Sequence, residues 1–440
     1  MGLTVAIIGA GPAGFYTAEA LITAAPDVTI DLIERLPTPF GLIRAGVAPD
    51  HQSTKKVTRA FDRTAQHDRV SYFGNVEVGK DVLIPELLEL YDAVVLSVGA
   101  PGDRPLGIPG EEKRGVLGSA SFVGWYNGHP DFRDLHPPLD TATAVVIGNG
   151  NVAVDVARVL VKTPAEMIAT DLATHAAEQI NASPLRDVHL IGRRGPVEAK
   201  FTNVELRELG ELADASPVVD VTDLPDHVPA DLPDREKRLK ERNLSTLRDF
   251  AAHTEDKTKH IHFHFYARPV EILGGDRVEG VRFETTDPAH PSGSLTIPCG
   301  LVIAAIGYAA VPLADVPFDL ANGHTVNVEG RISPRLYAAG WAMRGPTGVI
   351  GTNKADGDLI AHHIIADVGS ETNRPTTNRP GRSGFMKLLA DRKVTPVTFQ
   401  DWQAIDAAEI AAAPDGAPRR KFTRIKEMLE ALNQPGRHQP

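Results

Sequence analysis

The chain of 440 residues holds a single cysteine, Cys299. One thiol cannot build an internal disulfide, a Cys-ligated zinc or iron–sulfur site, or a CxxC redox pair. Any redox chemistry must be carried by a bound organic cofactor, and Cys299, just before an apolar run, reads as a packing residue. Long apolar stretches are also missing: none approaches the roughly 18 uninterrupted residues of a membrane span. The opening MGLTVAIIGAG is too short and too glycine-rich for a signal peptide. Gly2 fails the myristoylation pattern because position 6 is Ala. A cytoplasmic protein without a membrane span is the expectation. Positive charge is scarce, 46 Lys and Arg against 57 Asp and Glu for a net charge of −11. That balance excludes a nucleic-acid binder whose whole surface attracts phosphate, and an acidic partner would need a local basic patch. What is present is ordinary globular usage, 42% hydrophobic and 23% charged, on a chain long enough for two or three domains.

LTVAII (3–8) is a continuous apolar run ended by GAGPAG, as in a strand buried on both faces of a parallel sheet. A helix over 13–25 and a strand over 28–34 complete a βαβ unit. A helix over about 54–66 and the strand YDAVVLSVGA (91–100) follow, then a Gly/Pro-dense boundary at 99–110. TAVVIGNG (143–150) repeats the plan, with a helix over 152–162, a strand over 187–192 and LVIAAIGY (301–308) as the closing strand. The later strand in LYAAGW (336–341) and the helix DLIAHHIIADV cannot form a core alone, so they return to the first unit. Residues 371–384 read as a polar linker and 385–432 as mostly helical. The expected architecture is α/β, with two Rossmann-like dinucleotide-binding domains, one inserted into the other. Its parts are 1–104, an inserted 105–312, and a returning 313–440.

Gly9, Gly11 and Gly14 stand between strand and helix, where glycine permits a tight turn, close approach to a pyrophosphate and an exposed helix N-terminus. Glu34 ends the next strand, where a carboxylate accepts hydrogen bonds from ribose hydroxyls. The second fingerprint is Gly148, Asn149, Gly150, Asn151, Val152, Ala153, and its second strand ends in Gly192-Arg193-Arg194-Gly195. Paired guanidinium groups suit a 2′-phosphate that a Glu would repel, which points to NADP(H) rather than NAD(H). Two such units imply FAD in the first, NADPH in the second, and hydride transfer between them. The loop 345–353, GPTGVIGTN, offers backbone N–H donors and a helix N-terminus to a reduced flavin, with Trp341 stacking on a ring or capping the strand.

GAGPAGFYTAEAL, LPTPFGLIRAGVAPDH, IGNGNVAVDVARVL, IGRRGPVEAKFTNVELREL and GWAMRGPTGVIGTNK together carry a resemblance. The sequence resembles the adrenodoxin reductase type of ferredoxin–NADP reductase over nearly its whole length. That resemblance implies a glutathione reductase-like pair of domains, with the NADP domain inserted into a discontinuous FAD domain. It implies FAD contacts at Ala13, Glu34, Leu42, Val78, Trp341, Gly348, Val349 and Ile350. It implies NADP contacts at Asn149, Gly150, Asn151, Val152, Arg193, Arg194, Glu205 and Gly348. His51 and Glu205 are implied near the nicotinamide–flavin junction in proton handling. The partner implied is a ferredoxin-type iron–sulfur protein. The chain departs from the family's Trp-x-Lys-Arg-Gly-Pro run in having Met343 where the lysine stands. Other readings are an NADPH-dependent reductase of quinones or of a partner enzyme subunit, and a non-enzymatic flavoprotein redox sensor.

Several features have plainer readings. His51 fits a loop residue capping the next helix, and Glu205 a solvated position on an amphipathic helix. His260, His262 and His264 alternate on one strand face and, without a nearby carboxylate run, read as a polar face rather than a metal site. Phe122-x-Gly124 with His129 misses the flavin monooxygenase spacing. The run from Arg235 to Arg242 holds five basic residues in eight, and with Arg207 it forms a patch on which an acidic ferredoxin docks through Arg238 and Arg242, or else a solvated helix face with Glu partners.

Overall fold

The computed structural model describes residues 2–253, 255, 257–287, 293–369 and 379–433. It separates into two compact units. The first comprises the chain up to Gly102 and the chain from Tyr308 onward, and the second runs Asp103–Gly307 and takes in Asp415–Ala417. The divisions fall at Gly102/Asp103 and Gly307/Tyr308, two and five residues before the expected 104/105 and 312/313; Gly307 has φ +117, a turn before the chain re-enters the first unit.

The first unit opens with β1 (Thr4–Ile8), helix α1 (Pro12–Ala24), β2 (Thr29–Ile33), β3 (Val70–Phe73) and β4 (Ala93–Leu96). The four strands pair in parallel in the order β4-β1-β2-β3. Val5 and Ile7 of β1 pack with Phe15, Ala18 and Leu21 of α1, whereas Ala6 and Ile8 pack on the opposite face with Leu87 and Phe385. Burial on both faces is the reason the strand reads as an unbroken apolar run. The helix expected over 54–66 is instead two pieces, Gln52–Lys55 and Thr58–Ala65.

The second unit contains β5 (Val116–Gly118), β6 (Thr143–Ile147), α2 (Asn151–Val161), β7 (Asp187–Ile191), α3 (Asn203–Glu208), β8 (Ala215–Val218), α4 (Asp234–Ala251), β9 (Lys259–His264), β10 (Ala267–Leu273), β11 (Gly280–Thr285), β12 (Ser294–Pro298) and β13 (Leu301–Ala304). A parallel sheet runs β5-β13-β6-β7-β9-β8, and β10-β11-β12 form a separate antiparallel sheet. Ala144 and Val146 pack against Val154, Ala157 and Val161 of α2. Val145 and Ile147 face the other way, onto Val281, Phe283, Ile297 and Cys299 around the antiparallel sheet. That second sheet is absent from the sequence reading. Cys299 is buried there, and burial pushes its thiol up to about 12, as expected of a packing residue.

On returning to the first unit the chain forms β14 (Arg331–Ser333), β15 (Leu336–Ala338) and α5 (Thr352–Ile364). β15 pairs in parallel with β4, Leu336 beside Val94, and β14 caps the edge antiparallel to β15. α5 crosses α1 backbone to backbone: a Cβ on Gly357 would stand 2.7 Å from the Tyr16 carbonyl carbon. The returning segment thus extends the first sheet, and the second unit is inserted into a discontinuous first one. The expected linker 371–384 needs correction at its end. Residues 371–378 lie outside the described residues, but Gly381–Asp391 is a helix. It is held because Arg382 Nε donates at 2.7 Å to Asp31, a buried carboxylate of β2 that also accepts from Tyr91 Oη at 2.7 Å.

Candidate dinucleotide sites

In the first unit the turn Gly9–Gly11 links β1 to α1. Gly9 has φ +102, and a Cβ there would come within 2.6 Å of the Ser97 carbonyl oxygen; one on Gly14 would come within 2.1 Å of the Gly9 carbonyl oxygen. Ser97 Oγ locks the turn by donating to the carbonyls of Ile8 and Gly9 at 2.9 and 2.7 Å. Gly11 differs: a Cβ would meet nothing nearer than Gly41 Cα at 3.9 Å, so space lies open before it. α1 begins there with no side-chain cap, leaving its first amides to be satisfied from outside. Glu34 accepts from the amides of Ala10 at 2.9 Å and Leu36 at 3.2 Å. Burial raises its carboxyl above the ordinary value and those two amides pull it back.

A segment missed by sequence reasoning lies on this turn. Phe40 donates its amide to the Ala10 carbonyl at 2.7 Å, and Gly41, at φ +49, faces Gly11 backbone to backbone. Its signal was the Pro-Phe-Gly triplet at 39–41. Leu42 opens the short helix that follows, anchored by Arg44 Nη1 donating to buried Glu409 at 2.9 Å. His51 stands at the N-cap of the helix Gln52–Lys55, its carbonyl accepting from the Thr54 amide at 3.1 Å, while its side chain makes no capping hydrogen bond. Val78 sits half-buried against the apolar cluster under β4.

The returning loop comes to the same turn: a Cβ on Gly340 would stand 2.5 Å from Ala13 Cβ in α1. Trp341 Nε1 donates to the Thr347 carbonyl at 2.9 Å, and its ring lies 5.6 Å from that of Tyr308, so it braces the loop as well as ending the strand segment. Gly348 has φ +83, Val349 is 70% exposed, and Ile350 leads into α5. Arg344 donates to Asn353 Oδ1 at 3.0 Å and pairs with Asp356 at 3.0 Å, tying the loop to the first turns of α5. Met343 packs into the first unit's two apolar clusters, the role available to an unbranched apolar side chain where the family has lysine.

The second unit repeats the device. Gly148 has φ +151, and a Cβ would lie 2.2 Å from the Ala305 carbonyl oxygen. A Cβ on Gly150 would find only Lys200 Cβ at 4.0 Å, and α2 again starts without a side-chain cap. The segment 200–202 straps the turn: the Lys200 amide donates to the Asn149 carbonyl at 2.7 Å and the Thr202 amide to Asn151 Oδ1 at 2.8 Å. Val152 continues α2 toward the core. At the end of β7, Arg193 and Arg194 are exposed, and neither guanidinium makes a hydrogen bond or ion pair with a described residue. Their chain carbonyls are held instead, by Thr286 Oγ1 at 2.5 Å and the Tyr266 amide at 3.2 Å. Two cations escaped sequence reasoning. Lys240 of α4 donates to the Ala199 carbonyl at 2.6 Å, and Arg194 and Lys200 add to the burial that lowers its pKa. Their long separation in sequence hid the cluster.

Glu205, on the first turn of α3, is not simply solvated: its Oε2 is buried and has no hydrogen-bond partner among the described residues. Two open cradles, uncapped helix starts, unpaired guanidinium groups and an orphaned carboxylate oxygen fit two dinucleotides, the second carrying extra phosphate charge. Gly124 is filled by core, a Cβ there meeting Phe132 at 2.3 Å, which agrees with rejecting a monooxygenase signature at 122–129. The histidine face of β9 does have a carboxylate beside it, Asp187 of β7, contrary to the sequence reading. Arg207, Arg238 and Arg242 are exposed, and none is ion-paired with a described acidic residue, so the reading with Glu partners fails. Among the described residues no helix is long and apolar enough to cross a membrane.

A family model of pyridine nucleotide-disulphide oxidoreductases matches residues 3–206, spanning both turns. The human mitochondrial NADPH:adrenodoxin oxidoreductase is 42% identical over 452 residues, covering 97% of this chain and 91% of that protein. NADPH-ferredoxin reductase FprA of Mycobacterium tuberculosis is 41% identical over 448 residues, covering 97% and 98%. The structure of M. tuberculosis FprA in complex with NADPH matches with a TM-score of 0.93 at 39% identity, over 99% of this chain and 100% of that one. The matches run the length of both units and both cradles, and the chain belongs to the adrenodoxin reductase-type family of ferredoxin–NADP reductases.

Proposed function

We propose that the first unit holds FAD, the second holds NADP(H), and the protein moves electrons from NADPH to a ferredoxin-type iron–sulfur protein in the cytoplasm. The observation that carries this reading is the charge contrast between two otherwise equivalent cradles: Glu34 ends the second strand of one, Arg193 and Arg194 that of the other. A carboxylate suits ribose hydroxyls, and an unpaired guanidinium couple suits a 2′-phosphate. FAD, when bound, supplies the exchange between a two-electron hydride donor and one-electron acceptors. Gly9, Gly11 and Gly14 shape its cradle, with Ala13, Leu42, Val78, Trp341 and Gly348–Ile350 as lining. Asn149, Gly150, Asn151 and Val152 cradle the second dinucleotide. Glu205 would accept a hydrogen bond from the bound coenzyme through its buried Oε2, and proton handling is assigned to Glu205 and to His51. Cys299, buried with a raised pKa, offers electrons no exit, so the acceptor is a separate molecule.

Anaerobic stopped-flow mixing with NADPH should bleach the flavin within milliseconds, and ferredoxin added afterwards should be reduced. A redox sensor would leave the flavin oxidised on that scale; transfer to quinones but to no ferredoxin would assign the other enzymatic reading. The docking surface is assigned to Arg207 of α3 with Arg238 and Arg242 of α4. α4 buries Asn243, Leu244 and Leu247, leaving the two arginines outward, so their charge reversal should spare the fold. Replacing both with Glu should lower the second-order rate with ferredoxin about 10–100-fold at low salt and flatten its salt dependence. Flavin reduction by NADPH should stay as it was. An unchanged ferredoxin rate would place docking elsewhere.

A further inference from the structure

We propose that Asp187, His260 and His262 form a binding site for a borderline divalent transition metal, zinc foremost, on the parallel sheet of the second unit. β7 and β9 are adjacent parallel strands, with Asp187 beside His260, His189 beside His262, and Ile191 beside His264. Side chains two residues apart share a face, so this register collects four imidazoles and a carboxylate on two neighbouring strands. The apolar cluster over this face takes Val145, Ile147 and Ile191, and the antiparallel sheet packs there. The beginnings of the strands, where Asp187 and His260 stand, remain polar.

One ligand atom from each of the three residues lies within 4.8 Å of the others. Asp187 Oδ1 is 2.8 Å from His262 Nε2 and 3.6 Å from His260 Nδ1. Zinc bonds of about 2.0–2.2 Å in a tetrahedron put ligand atoms about 3.3–3.6 Å apart, and the three atoms already lie near that spacing. Imidazole with carboxylate is a donor set that zinc, copper(II) and nickel(II) prefer over magnesium or calcium. The ligands are supported from behind. The His262 ring stacks on His189 at 4.6 Å with 15° between planes, and His189 Nδ1 is hydrogen-bonded to His264 Nε2 at 2.8 Å. Such outer contacts fix ring orientation. Side-chain exposures of 36%, 28% and 27% for Asp187, His260 and His262 admit an ion and leave a position for water. The metal would clip the start of β7 to the start of β9.

Purified full-length protein, stripped with EDTA and desalted, is titrated with zinc chloride and its metal content measured after gel filtration. One zinc per chain with micromolar or tighter affinity is expected. Asp187→Asn and His262→Gln should each weaken binding at least about tenfold. His362→Gln, an exposed histidine of α5 in the first unit, should not. Flavin content and the rate of flavin reduction by NADPH report folding in every variant, and His260→Gln stands in for any variant that fails them. Cobalt(II) gives a second readout, a visible ligand-field band that the same variants diminish. Failure of the wild-type protein to retain zinc, or equal retention by all cluster variants, overturns the proposal and leaves a histidine–carboxylate hydrogen-bond network.

Discussion

Replacing Arg193 and Arg194 together by alanine should raise the KM for NADPH on the order of a hundredfold, while the KM for NADH stays within about threefold. Each charge-assisted hydrogen bond is worth roughly 1.5–3 kcal/mol, and exposure at a strand end argues for the lower figure. Two of them then come to about 3 kcal/mol, near two decades in affinity. The fold should not respond. Both side chains are exposed and unpaired among the described residues, and what positions them is their own backbone, held through Thr286 Oγ1 and the Tyr266 amide. Tyr266 has φ +56, and a Cβ on Gly195 would come within 2.3 Å of its hydroxyl, so the turn carrying the arginines is tightly built. Lys200 and Lys240 remain as neighbouring cations, which is why binding should weaken rather than vanish. Steady-state kinetics with both coenzymes decides it. Equal losses for NADPH and NADH would mean that the arginines do not read the 2′-phosphate.

Both cradles were legible because a glycine turn between strand and helix is a local pattern, and Glu34 and Arg193–Arg194 each stand just past the next strand of their sheet, although the second unit interposes extra residues before it. Long motifs then named the family. Less legible was whatever depends on distant chain packing. The strap of Phe40 on the first turn is a backbone hydrogen bond marked only by the Pro-Phe-Gly triplet, and that of 200–202 on the second joins a backbone bond from Lys200 to Asn149 with one from the Thr202 amide to Asn151 Oδ1, between segments far apart in the chain. Lys240 joins Arg194 and Lys200 only because α4 folds back to the Ala199 carbonyl. The antiparallel sheet escaped because its strands, half-exposed, alternate weakly, and β12 is mostly exposed. Asp187 stands 73 residues before His260, so the carboxylate beside the histidine face is a consequence of parallel pairing rather than of spacing. Glu205 carries no local sequence signal beyond the resemblance, and its buried Oε2, without a partner among the described residues, supplies a physical reason for its place.

Gly11→Ala and Gly14→Ala should fail in opposite ways. At Gly14 the new methyl would stand 2.1 Å from the Gly9 carbonyl oxygen and 2.9 Å from Ser97 Oγ, so turn and helix must part. Overpacking of that kind costs about 1–3 kcal/mol or more, and a protein that expresses poorly and melts early is expected. Gly11 has φ −90 and ψ −172, extended backbone open to any residue, and its methyl would meet no protein atom nearer than 3.9 Å. The polypeptide should therefore fold at least as well as the parent, since alanine also restricts the unfolded chain. The methyl would nonetheless fill the space that the second glycine of such a turn keeps for a pyrophosphate. Losing close contact with uncapped amides at the start of α1 should weaken FAD at least about a hundredfold, two charge-assisted hydrogen bonds' worth. Gly150→Ala, at φ −120 with 4.0 Å clear, is the counterpart for NADPH and should keep the flavin while losing coenzyme affinity. Flavin absorbance per chain, circular dichroism and thermal melting separate the cases. A Gly11→Ala protein that retains stoichiometric FAD would show that the dinucleotide does not approach this turn, and the assignment of the first unit would fall with it.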